Sequence, residues 1–196
     1  MDATQASSDE ELIERALRGE REAFALLYGR HQAPVYRFAR AMTGSSSLAE
    51  DVVQDVFLTL MRDLGRYDVA RGALRTYLFG IARNIARHKA RTVRRLLSLT
   101  EIDDWAGIDD PAEAFAVAQE TLQLRRCLSA LPSRYREVIV LCDLQELDYA
   151  ETATVLGVPV GTVRSRLHRG RQMLLERLRQ RAGLRSLTPA AKRCVI

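Results

Sequence analysis

Leu131 to Arg171 reads LPSRYREVIVLCDLQELDYAETATVLGVPVGTVRSRLHRGR, and the fold turns on it. After Pro132, the residues Tyr135, Val138, Ile139, Leu141 and Cys142 fall at spacings of three and four, which makes one apolar stripe on a helix. A second, short helix is expected from about Tyr149 to Leu156. It should stop at Gly157, which can take a positive φ, and at Pro159, which has no N–H to continue the ladder. A third helix should start near Gly161 or Thr162. Two helices joined by a tight glycine turn, the second far more basic than the first, is the sequence form of a helix-turn-helix. On that second helix Arg164, Ser165, His168, Arg169 and Arg171 can share a polar face, while Val163, Leu167, Leu174 and Leu178 hold it to its neighbours. Such a helix offers forked donors to guanine edges and phosphates while staying anchored.

Charge is segregated along the rest of the chain. Arg71 to Arg95 carries eight basic residues and no acidic one, and Leu97 to Glu120 seven acidic residues and no basic one. From Leu156 to the end there are ten basic residues against one acidic. Two basic blocks flanking an acidic one suggest two DNA-facing surfaces and a segment kept off DNA, although charge runs are also what solvated helix faces look like. Cys127, Cys142 and Cys194 lack the close pairing of a zinc or redox motif, and the first two sit on apolar faces. No apolar run reaches membrane-spanning length, and the acidic N-terminus is no signal peptide, so a cytoplasmic location without membrane insertion is expected.

In chain order, Ser8 with Glu11 is a capping pattern for a helix from Asp9 to about Gly19, with Leu12, Ile13, Ala16 and Leu17 on one face. A second helix from Glu20 should carry Phe24, Leu27 and Tyr28 inward and kink or break at Pro34. A serine of Ser45-Ser46-Ser47 should cap a helix from Leu48 to Leu64 that buries Val52, Val53, Val56, Phe57 and Leu60. A loop over Arg66 to Ala73 leads to a helix from Leu74 with Tyr77, Leu78, Ile81, Ala82 and Ile85 toward the core. Leu96 to Pro111 has no amphipathic period and is acidic, hence a linker. Ala112 to Ala130 returns to helix and leads into the opening stretch. The reading is an all-α chain of two small helical domains, 9–95 and 112–182, joined by a flexible acidic linker at 96–111 and followed by a basic tail at 183–196.

The sequence ALPSRYREVIVL followed by LDYAETATVLGVPVGTVRSRLHRGRQ resembles the promoter-reading C-terminal domain, region 4, of bacterial sigma-70 factors, specifically the small extracytoplasmic-function (ECF) group. The resemblance implies that Arg164, Ser165, Arg166, His168 and Arg169 touch the −35 element, and that the Leu131 to Leu144 helices lie near the flap of the second-largest polymerase subunit. Upstream, AEDVVQDVFLTLMR resembles the part of region 2 that grips the clamp helices of the largest subunit. Asp51, Gln54 and Asp55 match its polar pattern, with aspartate where glutamate is commoner at the last place. LRTYLFGIARNIARHKARTVRR resembles the part that reads and melts the −10 element, with Asn84 placed to hold a flipped base. Tyr77 and Phe79 stand where the family has tryptophan and often tyrosine, and are candidates for base contact or for core. Arg83, Arg87, Lys89 and Arg91, with Arg94 and Arg95, would meet phosphates.

The implied function is that of a sigma factor, which joins core RNA polymerase and directs it to promoter DNA under restraint by an anti-sigma factor. No catalytic constellation, metal site or cofactor is expected: His31, His88 and His168 are scattered, and no phosphate-binding glycine loop is present. The rivals are an operator-binding helix-turn-helix regulator that acts without polymerase, and a nucleic-acid enzyme. The first leaves the Asp51, Gln54 and Asp55 face and the Tyr77 to Arg95 helix unexplained; the second has no site.

Overall fold

The computed structural model describes residues 7–98 and 119–182, and within these every regular element is helical. The expected linker from residue 99 on, the first part of the helix expected over Ala112 to Ala130, Cys194 and the basic tail lie outside the described residues.

α1 (Asp9–Leu17) is capped by Ser8, whose hydroxyl accepts the Glu11 N–H at 3.2 Å. Asp9, Glu10 and Glu11 then complement the positive end of the helix. Leu12 and Ile13 are buried as expected. Leu17 is not: it is 55% exposed, because the helix ends at it and the chain turns away through Gly19 at φ 89°.

α2 (Arg21–Thr43) runs through Pro34 as one helix, so of the kink or break expected there the break does not occur. A mid-helix proline forfeits one backbone hydrogen bond and strains the preceding turn, at about 3 kcal/mol. Ala23, Leu27, Val35, Phe38 and Ala39 are buried on both sides of it, and burying each large side chain returns about 1.5–3 kcal/mol. Tyr28 is more exposed than its spacing suggested and lies edge-on to Phe57, with ring centroids 4.7 Å apart.

Ser45 is the serine that caps α3 (Ser46–Asp63), accepting from the Leu48 N–H. Val52, Val53, Val56, Phe57 and Leu60 are all buried. The connection to α4 is tighter than a plain loop, with 3-10 turns at Leu64–Arg66 and Val69–Arg71. α4 (Leu74–Ser98) continues past residue 95 and packs Leu74, Leu78, Phe79, Ala82 and Ala86 against α2 and α3.

The second half begins with α5 (Gln119–Ser129) and α6 (Ser133–Ile139), which winds on into a π-helical turn at Val140–Leu144. α7 (Tyr149–Leu156) has a complete capping box between Asp148 and Glu151 and ends at Gly157 in the left-handed region, φ 64°. α8 (Val160–Ala182) follows after Pro159. Val138, Ile139 and Leu141 form the α6 side of the core, and Val163, Leu167, Leu174 and Leu178 the α8 side. The two helices come close at Gly170, where an added Cβ would sit 3.0 Å from Ile139 Cδ1.

The two halves pack on each other: α4 meets α7, and α2 meets α5 and α6. The Arg136 guanidinium, on α6, donates to the Met42 carbonyl at the end of α2 at 3.0 Å and to its own Leu131 carbonyl at 3.2 Å.

Candidate nucleic-acid interface

α8 is held by its apolar side and leaves the other to solvent. Pro159 starts it, its carbonyl accepting from the Thr162 and Val163 N–H groups. With Val163 and Leu167 buried, the helical period turns Arg164, Ser165, His168 and Arg169 outward, and all four are exposed; Arg166 is half-buried at the flank. The Arg164 guanidinium stands 5.7 Å from the centre of the Tyr149 ring on α7. The Gln172 amide and His168 Nε2 are 3.0 Å apart. Arg171 leaves this set. Its guanidinium is turned inward and forks onto the Asp143 carboxylate at 2.6 and 3.1 Å, which raises the arginine's pKa, chiefly through that hydrogen bond. Arg171 is a brace between the π-helical turn and α8.

The α4 candidates divide. Asn84 and Arg91 are exposed. Asn84 lies at a cavity of about 460 Å³ that it lines with Tyr77 and Ile81 from its own helix and Val155, Leu156 and Gly157 from α7. Tyr77 is half-buried, its ring centroid 5.4 Å from that of Tyr67. Phe79 is 1% exposed and packs on Phe38 at 5.4 Å between centroids, so it belongs to the core and offers no ring face to a base. Arg83 is bonded through Nε to Glu137 Oε2 at 2.8 Å, and Arg87 Nε lies 3.6 Å from Glu137 Oε1. Lys89 Nζ is 2.9 Å from Asp55 and 4.0 Å from Asp51, so one lysine touches two carboxylates of the α3 polar face.

On α3, Asp51 and Gln54 are exposed and Asp55 is half-buried. Gln54 also lines an open apolar groove of about 740 Å³ between α2 and α3, together with Tyr28, Phe57, Leu58 and Met61. Leu58 and Met61 are 50% and 58% exposed. The sequence reading missed this groove, although Leu58 and Met61, three apart and off the buried stripe, were the signal for it. It also missed Glu137, a carboxylate buried between two helices and aimed at arginines.

A helical core beside a helix-turn-helix with an exposed arginine face defines a DNA-reading protein of two helical parts. Comparison with known proteins narrows this. Residues 27–96 match sigma-70 region 2, and residues 121–174 match sigma-70 region 4. ECF RNA polymerase sigma factor SigM of Mycobacterium tuberculosis is 32% identical over 169 residues, 85% of this chain and 83% of SigM. SigW of Bacillus subtilis is 29% identical over 85% of this chain and 95% of its own length. SigE of Mycolicibacterium smegmatis is 34% identical, and there the match spans 60% of the relative. Among solved structures, CnrH in complex with the cytosolic domain of CnrY superposes at a TM-score of 0.70 and 27% identity, over 89% of this chain and 99% of CnrH. RpoE of Bartonella quintana, in complex with the anti-sigma factor NepR, shares the fold at a TM-score of 0.67 and 23% identity. The chain belongs to the extracytoplasmic-function group of the sigma-70 family, the RNA polymerase subunits that direct transcription initiation. The operator-binding alternative accounts for residues 121–174 and leaves the region 2 match without a role.

Proposed function

We propose the following division of labour within the chain. The Asp51, Gln54 and Asp55 side of α3, with the adjoining Leu58 and Met61 groove, docks on the clamp helices of core RNA polymerase. Carboxylates beside an apolar groove suit a basic, amphipathic helical partner, in which apolar anchors supply affinity and charges fix register. The Leu131 to Leu144 helices lie toward the flap. Asn84, at its cavity with Tyr77, takes a base of the −10 element, and Arg83, Arg87, Lys89 and Arg91 serve its phosphates. Arg164, Ser165, Arg166, His168 and Arg169 read the −35 element. The partners are core polymerase, promoter DNA and an anti-sigma factor of the kind seen with RpoE, and the protein works in the cytoplasm. Among the described residues, no helix is long and apolar enough to cross a membrane.

The observation that carries this reading is the α8 face: four exposed polar residues on a helix whose opposite side is anchored by Val163, Leu167, Leu174 and Leu178. Gel filtration with core polymerase tests the docking surface. A Leu58→Asp, Met61→Asp double variant should lose the complex while Arg164→Ala keeps it. Retention of the complex by a folded double variant would remove α3 from the docking role.

A further inference from the structure

We infer that the chain has a binding site for a phosphate group, free or at the end of a small molecule, in a cavity where the end of α2, the middle of α4 and the start of α6 meet. The cavity measures about 150 Å³ and is lined by Ala86, Arg87, Ala90 and Arg91 of α4 and by Ser133 and Arg136 of α6. Helical spacing explains its shape. Ala86 and Ala90 stand four apart, and so do Arg87 and Arg91, so two short side chains leave the space and two long cationic ones border it. Ala86 and Arg136 are buried and make its back, while Arg91 and Ser133 are exposed at its mouth.

Three guanidiniums thus converge on one small space, and carboxylates do not match them. Glu137, 3% exposed, accepts from Arg83 at 2.8 Å and lies 3.6 Å from Arg87, so a single buried carboxylate serves two arginines of α4. Arg91 makes no hydrogen bond or ion pair among the described residues, and neither does the Ser133 hydroxyl. Arg136, 9% exposed, is fixed in place by donating to the Met42 carbonyl at 3.0 Å and the Leu131 carbonyl at 3.2 Å. A cationic side chain that is buried and already oriented loses little further freedom when an anion arrives.

The chemistry of the donors selects the ligand. Guanidinium forks match carboxylate and phosphate oxygens alike. A carboxylate offers two oxygens in one plane, whereas a phosphate offers its oxygens in tetrahedral directions, which suits donors that arrive from two different helices. Size narrows the choice further. Sites for drug-sized ligands take about 300–1,000 Å³, so this cavity admits a phosphate or diphosphate group and leaves the sugar and base of a nucleotide outside. Arg87 and Arg91 are shared with the DNA contact proposed above; Ser133 and Arg136 are not part of that contact, so failure of the phosphate site leaves the DNA reading standing.

The test uses the full chain and three probes: inorganic phosphate, pyrophosphate and a nucleoside triphosphate without magnesium, each exchanged for chloride at constant ionic strength and pH. Phosphate at high concentration stabilises proteins by exclusion from their surface, a response that does not saturate, so the melting midpoint is read in the low millimolar range. It should rise and level off, as mass action on one site requires. Arg91→Gln should raise the half-saturating concentration about ten- to a hundredfold, the loss expected for one hydrogen bond to a charged group. Ala90→Leu fills the cavity with every arginine still present and should abolish the saturable rise, whereas Arg179→Gln, at an exposed arginine that does not line the cavity, should keep it. Tightest binding of inorganic phosphate assigns a free phosphate, and tighter binding of the triphosphate assigns the phosphate end of a nucleotide. No rise with any probe overturns the site. A rise that never levels off, or that a folded Ala90→Leu protein retains, means an adventitious ion only and overturns it as well. Should Ala90→Leu unfold, phosphorus NMR line broadening of the same probes decides between wild type and Arg91→Gln, and equal broadening by the two proteins overturns the site.

Discussion

Gly170 sits where α8 crosses α6, and replacing it by alanine sets two effects of similar size against each other. In a helix interior alanine is favoured over glycine by about 0.8–1 kcal/mol. Against this, the new methyl would lie 3.0 Å from Ile139 Cδ1, 3.3 Å from Ile139 Cγ1 and 3.4 Å from Tyr135 Cβ. Ile139 is 2% exposed, so it can yield only within the core, and Tyr135 Cβ is fixed to the backbone. Overpacking of this kind costs about 1–3 kcal/mol, so Gly170→Ala should destabilise by about 1 kcal/mol net. Ile139→Val removes the Cδ1 atom in the closest contact and alone should cost about 0.5–1.5 kcal/mol. In the double variant the methyl added at position 170 occupies the space vacated, so the pair should be no less stable than Ile139→Val alone, a coupling of about 1 kcal/mol or more. Urea denaturation followed by far-ultraviolet circular dichroism reads all four corners of the cycle. A Gly170→Ala protein more stable than wild type, or costs that simply add, would refute the close approach of α6 and α8.

Other consequences concern charge. Asp143→Asn removes the negative charge and one of the two acceptor oxygens of the forked Arg171 contact and should lower stability by about 1.5–3 kcal/mol, the range for hydrogen bonds to charged groups, as read by denaturant midpoint. His31 is buried, and burial lowers its pKa below 6.5 against the opposing pull of Asp9, 2.8 Å away, with Arg30 and Arg75 adding to the lowering. The folded state then holds fewer protons at His31 than the unfolded state. Its contribution to stability is full above about pH 6.5 and is lost as pH falls through that value, at up to about 1.4 kcal/mol per pH unit. Melting temperature should rise from pH 5 to pH 7, with a flatter slope in His31→Gln; an equal slope in both proteins would exclude His31 as its source. Lys89→Ala frees Asp51 and Asp55 from their shared cation. If those carboxylates face a basic polymerase surface, complex formation with core enzyme should strengthen modestly in a binding assay at low salt, and weakening would argue that Lys89 itself is part of the contact.

What could be read from the chain followed from how local the signals were. The caps at Ser8 and at the serines before α3, the glycine stop at Gly157 and the apolar stripe of α8 are decided within a few residues, and the structure has each. Pro34 does not break α2, because its cost is local and visible in sequence while the burial that offsets it comes from α3 and α4. Arg171 misled for a related reason, and Phe79 was left open between base contact and core for the same one. Their residue types suit DNA, but Asp143 and Phe38, which claim them, are 28 and 41 positions away, and only the fold brings them together. Glu137 was the hardest to see. A glutamate in a helix reads as solvated, and nothing within its own turn announces that Arg83, 54 residues upstream, will meet it in a buried interface.

For the two halves to act together on a promoter, both must work while the chain is attached to polymerase. Run-off transcription reads this in one experiment, with the purified protein, bacterial core RNA polymerase and genomic fragments that include the region upstream of its own gene. Discrete transcripts should require this protein and disappear with either Asn84→Ala or Arg164→Ala, each variant still co-eluting with core enzyme. Transcripts that survive both substitutions would contradict the assigned reading residues. The absence of any dependent transcript, together with no complex on gel filtration, would contradict the polymerase-directing role itself.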